Sequence, residues 1–172
     1  MTGENKVMTG SKAGKYLTFC LGNEVYGLEI LKVQELIGMM RVTRVPRTPA
    51  FVRGVINLRG KVFPVMDLRK KFGFESIEDT AKTCIIVVQV MRDGRALAMG
   101  VVVDEVREVL NIKAEQIEPP PEFGSAVDTS FILGMGKKDD SVVILLDVNK
   151  VLTGGEVAVL EQTASQPQET GS

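Results

Sequence analysis

Residues 27–37 read Gly27-Leu28-Glu29-Ile30-Leu31-Lys32-Val33-Gln34-Glu35-Leu36-Ile37, and residues 100–110 read Gly100-Val101-Val102-Val103-Asp104-Glu105-Val106-Arg107-Glu108-Val109-Leu110. At an offset of 73 positions Gly27 meets Gly100, Val33 meets Val106, Glu35 meets Glu108 and Pro46 meets Pro119, with aliphatic residues opposite Leu28, Ile30, Leu36 and Ile37. At an offset of 80, Val65-Met66-Asp67-Leu68-Arg69-Lys70 meets Leu145-Leu146-Asp147-Val148-Asn149-Lys150, and the extra residues are expected in the turn 137–141. Aliphatic matches come easily in a valine-rich chain, but glycine, glutamate, proline and a strand followed by a capping aspartate recur here in one order. Such self-similarity is the mark of a duplicated unit. It predicts two small β-barrels of about 60–70 residues, packed pseudo-symmetrically around a groove; barrel closure removes exposed strand edges, and the junction is a natural place for a partner.

The local signals agree with an all-β fold. The chain holds 24 valines and 10 isoleucines but nine aromatic residues, which is strand composition. Strands are expected over 15–21, 25–30, 52–58, 61–66, 84–91, 95–103 and 142–146, with turns at Gly22-Asn23-Glu24, Arg59-Gly60 and Arg92-Asp93-Gly94. Helices are few and short. Asp67 caps a turn ended by Gly73, Asp147 caps one ended by Gly154, Thr48 and Pro49 open another, and residues 156–162 form the last, with Val157 and Leu160 inward. The expected organisation is a disordered tail over 1–14 and a folded region over 15–162. The barrels fall roughly at 25–85 and 86–152, with residues 15–24 exchanged between them, and 163–172 form a flexible tail.

Composition removes most chemistry. The 172 residues include no histidine, which excludes Ser-His and Cys-His nucleophile pairs, histidine general bases and histidine-ligated metals. Cys20 and Cys84 form no Cys-x-x-Cys pair and read as buried reduced thiols. Residues 54–61 superficially resemble a phosphate-binding loop, but the spacing is one residue too long and Val62 stands where Ser or Thr would hold magnesium. Asp104 with Glu105 and Asp139 with Asp140 are adjacent carboxylates, which on strands face opposite ways. No catalytic residue, cofactor or metal is expected. The longest apolar runs fall far short of the ~18 residues a membrane span needs. With no secretory signal and unpaired cysteines, they point to the cytoplasm.

Charge is uneven. Residues 41–71 carry nine basic groups (Arg41, Arg44, Arg47, Arg53, Arg59, Lys61, Arg69, Lys70, Lys71) against Asp67 alone, while the whole chain has a net charge of −1. A basic stretch on an acidic body suits an acidic protein surface or single-stranded nucleic acid. Stacking on bases needs aromatics, and Phe51 and Phe63 sit in apolar contexts. The protein reading is favoured, without nucleic acid as partner.

The segment Thr48-Pro49-Ala50-Phe51-Val52-Arg53-Gly54-Val55-Ile56-Asn57-Leu58-Arg59-Gly60-Lys61-Val62-Phe63-Pro64-Val65-Met66-Asp67-Leu68-Arg69 resembles the signature of the CheW family of chemotaxis coupling proteins. Residues 26–35, 100–106, Ala114-Glu115-Gln116-Ile117 and Pro121-Glu122-Phe123 also fit it, and the likeness spans about 15–160, closest to the stand-alone enterobacterial type. The resemblance implies two five-stranded SH3-like barrels and a non-enzymatic adaptor. Its implied partners are the cytoplasmic tip of a chemoreceptor (a methyl-accepting chemotaxis protein) and the regulatory domain of the histidine kinase CheA. The adaptor would be a monomer when free and would reach the membrane only through receptors.

By position, the resemblance marks Val33, Glu35, Gly54 and Arg59 as receptor-side residues, and more loosely Thr83, Cys84 and Val109, the last the repeat partner of Leu36. Kinase-contact residues are not assigned. A site for a helix in a groove needs apolar anchors and a polar rim. Val33, Leu36 and Val109 fit the first role and Arg59 the second. Each valine fits plain core as well, Gly54 fits a turn or tight packing, and Arg59 fits a solvated turn. A coupling protein of a parallel pathway and a nucleic-acid-binding barrel stand as alternatives.

Overall fold

The computed structural model describes residues 13–74, 78–92, 94–121, 129–152, 156, 158–160 and 162. The tails over 1–12 and 163–172, and Glu122, Phe123 and Val157, lie outside the described residues. Eleven strands follow in chain order: β1 (Gly14–Leu21), β2 (Glu24–Glu29), β3 (Val33–Gly38), β4 (Val52–Leu58), β5 (Lys61–Asp67), β6 (Cys84–Arg92), β7 (Arg95–Val103), β8 (Glu105–Ile112), β9 (Ile117–Glu118), β10 (Ile132–Lys138) and β11 (Ser141–Leu146). They form two sheets, one ordered β3-β6-β7-β5-β4 and the other β8-β1-β2-β11-β10-β9. These are the two small barrels, the second carrying the two-residue β9 beyond the expected five strands.

The duplication is visible in the pairing. Val65 on β5 lies opposite Gly100 on β7, and Leu145 on β11 lies opposite Gly27 on β2, both in parallel register. Each repeat thus contributes its opening hairpin to the other barrel: β1–β2 joins β8, β10 and β11, while β6–β7 joins β3, β4 and β5. The exchange covers the whole hairpin 14–29 rather than 15–24, and its counterpart 84–103 crosses the other way. The barrel divisions near 25–85 and 86–152 give way to this arrangement. The cause is geometric: β2 pairs in parallel with β11, and only a crossover to the far barrel sets them side by side. The two glycines are required by packing, since a methyl on Gly100 would approach Ile85 Cγ2 to 2.7 Å and one on Gly27 would approach Leu145 Cδ2 to 3.1 Å.

Exchange gives the central strands two buried faces. Ile85 and Val87 of β6 join Ile56, Val65 and Val102 inside the first barrel. Ile86, Val88 and Val90 face the other way into a shared core with Leu17, Phe19, Leu21, Met66, Val101, Val103 and Leu146. On β1, Tyr16 turns into the second barrel with Ile112, Val143 and Leu145. This is why 84–91 reads as a continuous apolar run rather than an alternating one.

The short elements differ in part. Leu68–Lys71 is a one-turn helix, α1, capped by Asp67, whose carboxylate accepts from the Arg69 backbone N–H at 3.0 Å; Gly73 follows at φ 86°. Asp147 makes the same bond to Asn149 N–H, also at 3.0 Å, yet 148–152 is a turn rather than a helix. Thr48 caps nothing: its hydroxyl donates to Val45 O, and the Val52 N–H to Pro49 O bond closes a turn. The extra residues of the second repeat do not lie in 137–141, because Lys138 pairs Ser141 just as Leu58 pairs Lys61, leaving two-residue turns in both hairpins. They lie between β9 and β10. Residues 156, 158–160 and 162 are helical, and Leu160 is fully buried in the shared core.

Candidate functional site

β3 is an edge strand of the first sheet, and its exposure alternates along its length. Val33 packs against the shared core, opposite Val88. Leu36 turns out and is 46% exposed, an unusual position for a leucine on a regular strand. Glu35 meets Arg59, which reaches back from the β4–β5 turn at the opposite edge. The guanidinium grips the carboxylate with both terminal nitrogens, Nη1 donating to Oε2 at 3.0 Å and Nη2 to Oε1. The bidentate fork fixes orientation as well as charge, and its hydrogen bonds hold the Glu35 carboxyl below its ordinary value. Arg59 sits at φ 54°, a region arginine seldom occupies. The two-residue turn demands it, and Gly60 N–H donates to the Asn57 side chain at 3.0 Å to hold it.

Gly54 is a buried backbone device. Its φ is 141°, and a methyl there would fall onto the Thr43 carbonyl oxygen. Glycine lets the segment after β3 cross β4, so that Thr43 N–H donates to Val55 O at 2.8 Å and Val55 N–H to Thr43 O at 2.9 Å. Thr83 is also buried; its hydroxyl accepts from Thr80 N–H at 2.8 Å and shapes the approach to β6. Cys84 and Cys20 are half-buried free thiols rather than fully buried ones. Burial pushes the Cys84 thiol upward, away from thiolate chemistry. Cys84 lies opposite Gly38 at the far end of β3. Val109 is 48% exposed on β8, the edge strand of the other sheet. The fold therefore brings Val33, Glu35, Leu36 and Arg59 onto one edge. It puts Gly54 and Thr83 underneath in supporting places, and it leaves Val109 on the second barrel.

Two features escape the sequence. Leu31, in the 3₁₀ turn Ile30–Lys32 just before Val33, is 94% exposed. The second is ionic. Arg69, 2% exposed, donates to Asp67 from Nε at 2.9 Å and Nη2 at 2.9 Å, to Asp79 at 3.0 Å and to Asp104 at 3.1 Å. Arg53 joins it on Asp67 at 3.2 Å and on Asp79 at 2.5 Å. Asp104 also accepts from Gly22 N–H at 2.7 Å, so the network ties α1 to the β1–β2 turn of the other barrel. Arg69 reads in sequence as one more helix-surface cation; the only sign of its role is that Asn149 takes its place in the second repeat. Of the adjacent pair, Asp104 is taken up by the network while Glu105 lies 3.9 Å from Lys82, and the Asp139-Asp140 turn is exposed.

The basic stretch 41–71 is thus partly neutralised by the rest of the fold: four of its nine basic groups, Arg53, Arg59, Arg69 and Lys71, hold carboxylates, the last that of Glu156 at 2.6 Å. Phe51 is buried and Phe63 half-buried in the first barrel, so neither offers a stacking platform. Among the described residues no group of three or more Cys, Asp or Glu could hold a metal ion, and no helix is long and apolar enough to cross a membrane.

Two strand-exchanged barrels with an exposed, charge-rimmed edge define a scaffold module rather than a reaction centre. The chain belongs to the CheW-like domain family, whose model matches residues 15–156. It is 41% identical over 158 residues to the chemotaxis protein CheW of Klebsiella aerogenes, covering 91% of this chain and 93% of that one. It is 37% identical to CheW of Helicobacter pylori, covering 80% and 81%. The crystal structure of the scaffolding protein CheW from Thermoanaerobacter tengcongensis superposes with a TM-score of 0.74 at 37% identity, covering 84% of this chain and 95% of that one. The fold class, the chemotaxis family and the non-enzymatic, scaffolding character expected from the resemblance therefore hold.

Proposed function

We propose that this protein couples the cytoplasmic tips of chemoreceptors to the histidine kinase CheA, as a cytoplasmic monomer recruited to membrane-associated receptor clusters. The observation that carries the reading is the β3 edge: Leu36 stands half-exposed on one face of the strand, and the preceding residue, Glu35, carries the Arg59 fork on the other. An apolar anchor with a polar rim is what a docking helix needs. Val33, Glu35, Leu36 and Arg59 form the receptor face, with Gly54, Thr83 and Cys84 supporting it from below and Val109 extending it on the second barrel. Two partners held on one rigid body feel each other as a coupling free energy, usually about 1–3 kcal/mol. No cofactor takes part.

Reconstitution tests this directly. Purified protein, a chemoreceptor signalling fragment and CheA are mixed, and complex formation and kinase activity are followed together. The expected result is a ternary complex that requires this protein and changes kinase activity. Leu36→Asp should weaken receptor binding without shifting the melting temperature. Binding to neither partner would overturn the reading.

A further inference from the structure

Residues 39–47 leave the end of β3 and double back beside β4, held there by the Thr43–Val55 bridge that Gly54 permits. The segment carries Met39, Met40, Arg41, Val42 and Arg44, which with Arg53 and Asp79 line an open depression of about 480 Å³. Met39, Met40 and Val42 are half-buried against the first barrel's core and give the depression an apolar part, while its lining as a whole is more polar than apolar. Its charges are of two kinds. Arg53 and Asp79 satisfy each other and the buried network. Arg41 and Arg44 are exposed and take no acidic partner among the described residues. Among the described residues, the arginines of the 41–71 stretch without an acidic partner are therefore those of this single loop, Arg41, Arg44 and Arg47, and two of them line the mixed polar and apolar hollow that follows β3.

We propose that Arg41 and Arg44 bind acidic side chains on the helical receptor tip, extending the face built around Glu35 and Arg59; this rests on the coupling function proposed above. Guanidinium forks match carboxylates in geometry and lose little hydration on pairing, and methionine adapts to the apolar stripe between the acids of a helix. Phosphodiester chains fit less well. They call for stacking aromatics, and Phe51 and Phe63 are turned inward.

The test compares wild type, Arg41→Gln/Arg44→Gln and Arg41→Lys/Arg44→Lys. Each is titrated with the purified cytoplasmic signalling fragment of a methyl-accepting chemoreceptor at about 50 and about 300 mM salt, where charge screening differs strongly. The glutamine pair should bind about tenfold more weakly at low salt with a flattened salt dependence, the lysine pair, which keeps the charge without the fork, should fall between the two with the wild-type salt slope, and all three should melt alike. Wild-type binding to the fragment with unchanged affinity and salt slope in the glutamine pair overturns the proposal and leaves the coupling function intact. A wild type that binds no receptor fragment overturns both. Tighter wild-type binding to a single-stranded oligonucleotide than to the fragment, lost in the glutamine pair, assigns the loop to nucleic acid and overturns the proposal.

Discussion

The corner after β5 and the corner after β11 are built on the same backbone and finished with different chemistry. Asp67 N–H donates to Phe51 O at 2.7 Å, and Asp147 N–H donates to Phe131 O at 2.8 Å. Each aspartate then caps the residue two positions on. The next step diverges. In the second repeat, Asn149 Oδ1 accepts directly from Met91 N–H at 2.8 Å, at the tip of the exchanged β6–β7 hairpin. In the first, an N–H of the other exchanged hairpin, that of Gly22 in the β1–β2 turn, is taken by Asp104, which Arg69 holds through the second carboxylate oxygen. One junction between barrels is closed by a neutral amide. The other is closed by two arginines and three aspartates. The frame tolerates either solution because each satisfies a backbone donor near the tip of an exchanged hairpin. The ionic one also anchors residue 79, so it fixes one more segment than the amide can.

The largest expected effect separates these two corners. Removing Arg69 as Arg69→Met leaves Asp67, 1% exposed, with Arg53 at 3.2 Å as its one remaining cation beside the backbone N–H of residue 69. Breaking a buried pair from one side costs about 3–5 kcal/mol in general. Arg53 remains, so about 3 kcal/mol is expected, read as a drop in the midpoint of urea unfolding. Asn149→Ala removes one hydrogen bond from a half-buried site and should cost about 1 kcal/mol. Equal losses in the two variants would show that the ionic corner adds nothing beyond the bond it shares with its twin.

A second contrast lies at the crossing points of the two barrels. Gly54 and Gly134 are repeat partners, and each admits a strand returning over it. At Gly54 a methyl would strike the Thr43 carbonyl, and φ is 141° besides. At Gly134 it would meet Ile117 Cγ2 at 2.6 Å and Glu118 O at 3.1 Å, without that φ. A side-chain methyl can move aside where a backbone carbonyl cannot. Gly54→Ala should therefore cost about 2–3 kcal/mol through backbone strain and overpacking together, and Gly134→Ala about 1 kcal/mol. Calorimetric melting of the two variants measures the difference. If the Gly134 variant proves the less stable, the strain attributed to the Thr43 crossing is misplaced.

The duplication was legible because its markers have local causes. Gly27 and Gly100 recur since a parallel neighbour crowds both, and Asp67 and Asp147 recur since both cap a chain reversal. The hairpins at Gly22-Asn23 and Arg59-Gly60 announce themselves by turn chemistry. The full hairpin exchange was not legible. Two equivalent units give one hairpin the same local signals whether it pairs with its own unit or the other, so nothing between residues 14 and 29 says which barrel it enters. Strands β3 and β8 hide their pattern under Gln34, Glu35, Arg107 and Glu108, as edge strands do when charge guards them. β10 hides behind Gly134 and Gly136. At the site, Glu35 and Arg59 were each marked by resemblance, but their contact spans 24 positions and exists only once the barrel closes. Arg69 could not be told from Lys70 by composition; burial alone distinguishes them.

The smallest expected effect also has the clearest sign. Around Asp67, burial pushes the carboxyl up, but the Arg69 hydrogen bonds and charge together with Arg53 outweigh it and hold the value below the ordinary one; Asp79 is lowered chiefly by Arg53. Groups lowered by folding stabilise above their unfolded value, about 3.9 for aspartate, and that stability is lost as pH falls through the lower native value. The Asp147 corner works the other way. Glu29, in the same corner, is raised by burial first and by the Asp147 charge, with Lys32 only partly offsetting them. A raised group stabilises at acid pH and has lost that contribution at neutrality. Glu29→Gln should therefore raise the melting temperature slightly at pH 7 and remove part of the pH dependence that sets in above about 4.3, the ordinary glutamate value. Asp79→Asn should lower the melting temperature at pH 7, and its deficit against wild type should shrink as pH falls below the ordinary aspartate value, about 3.9. Melting curves of the two variants across that range read both signs at once. A Glu29→Gln variant destabilised at pH 7 would mean that Lys32 outweighs burial there, and that the second corner is held by charge after all.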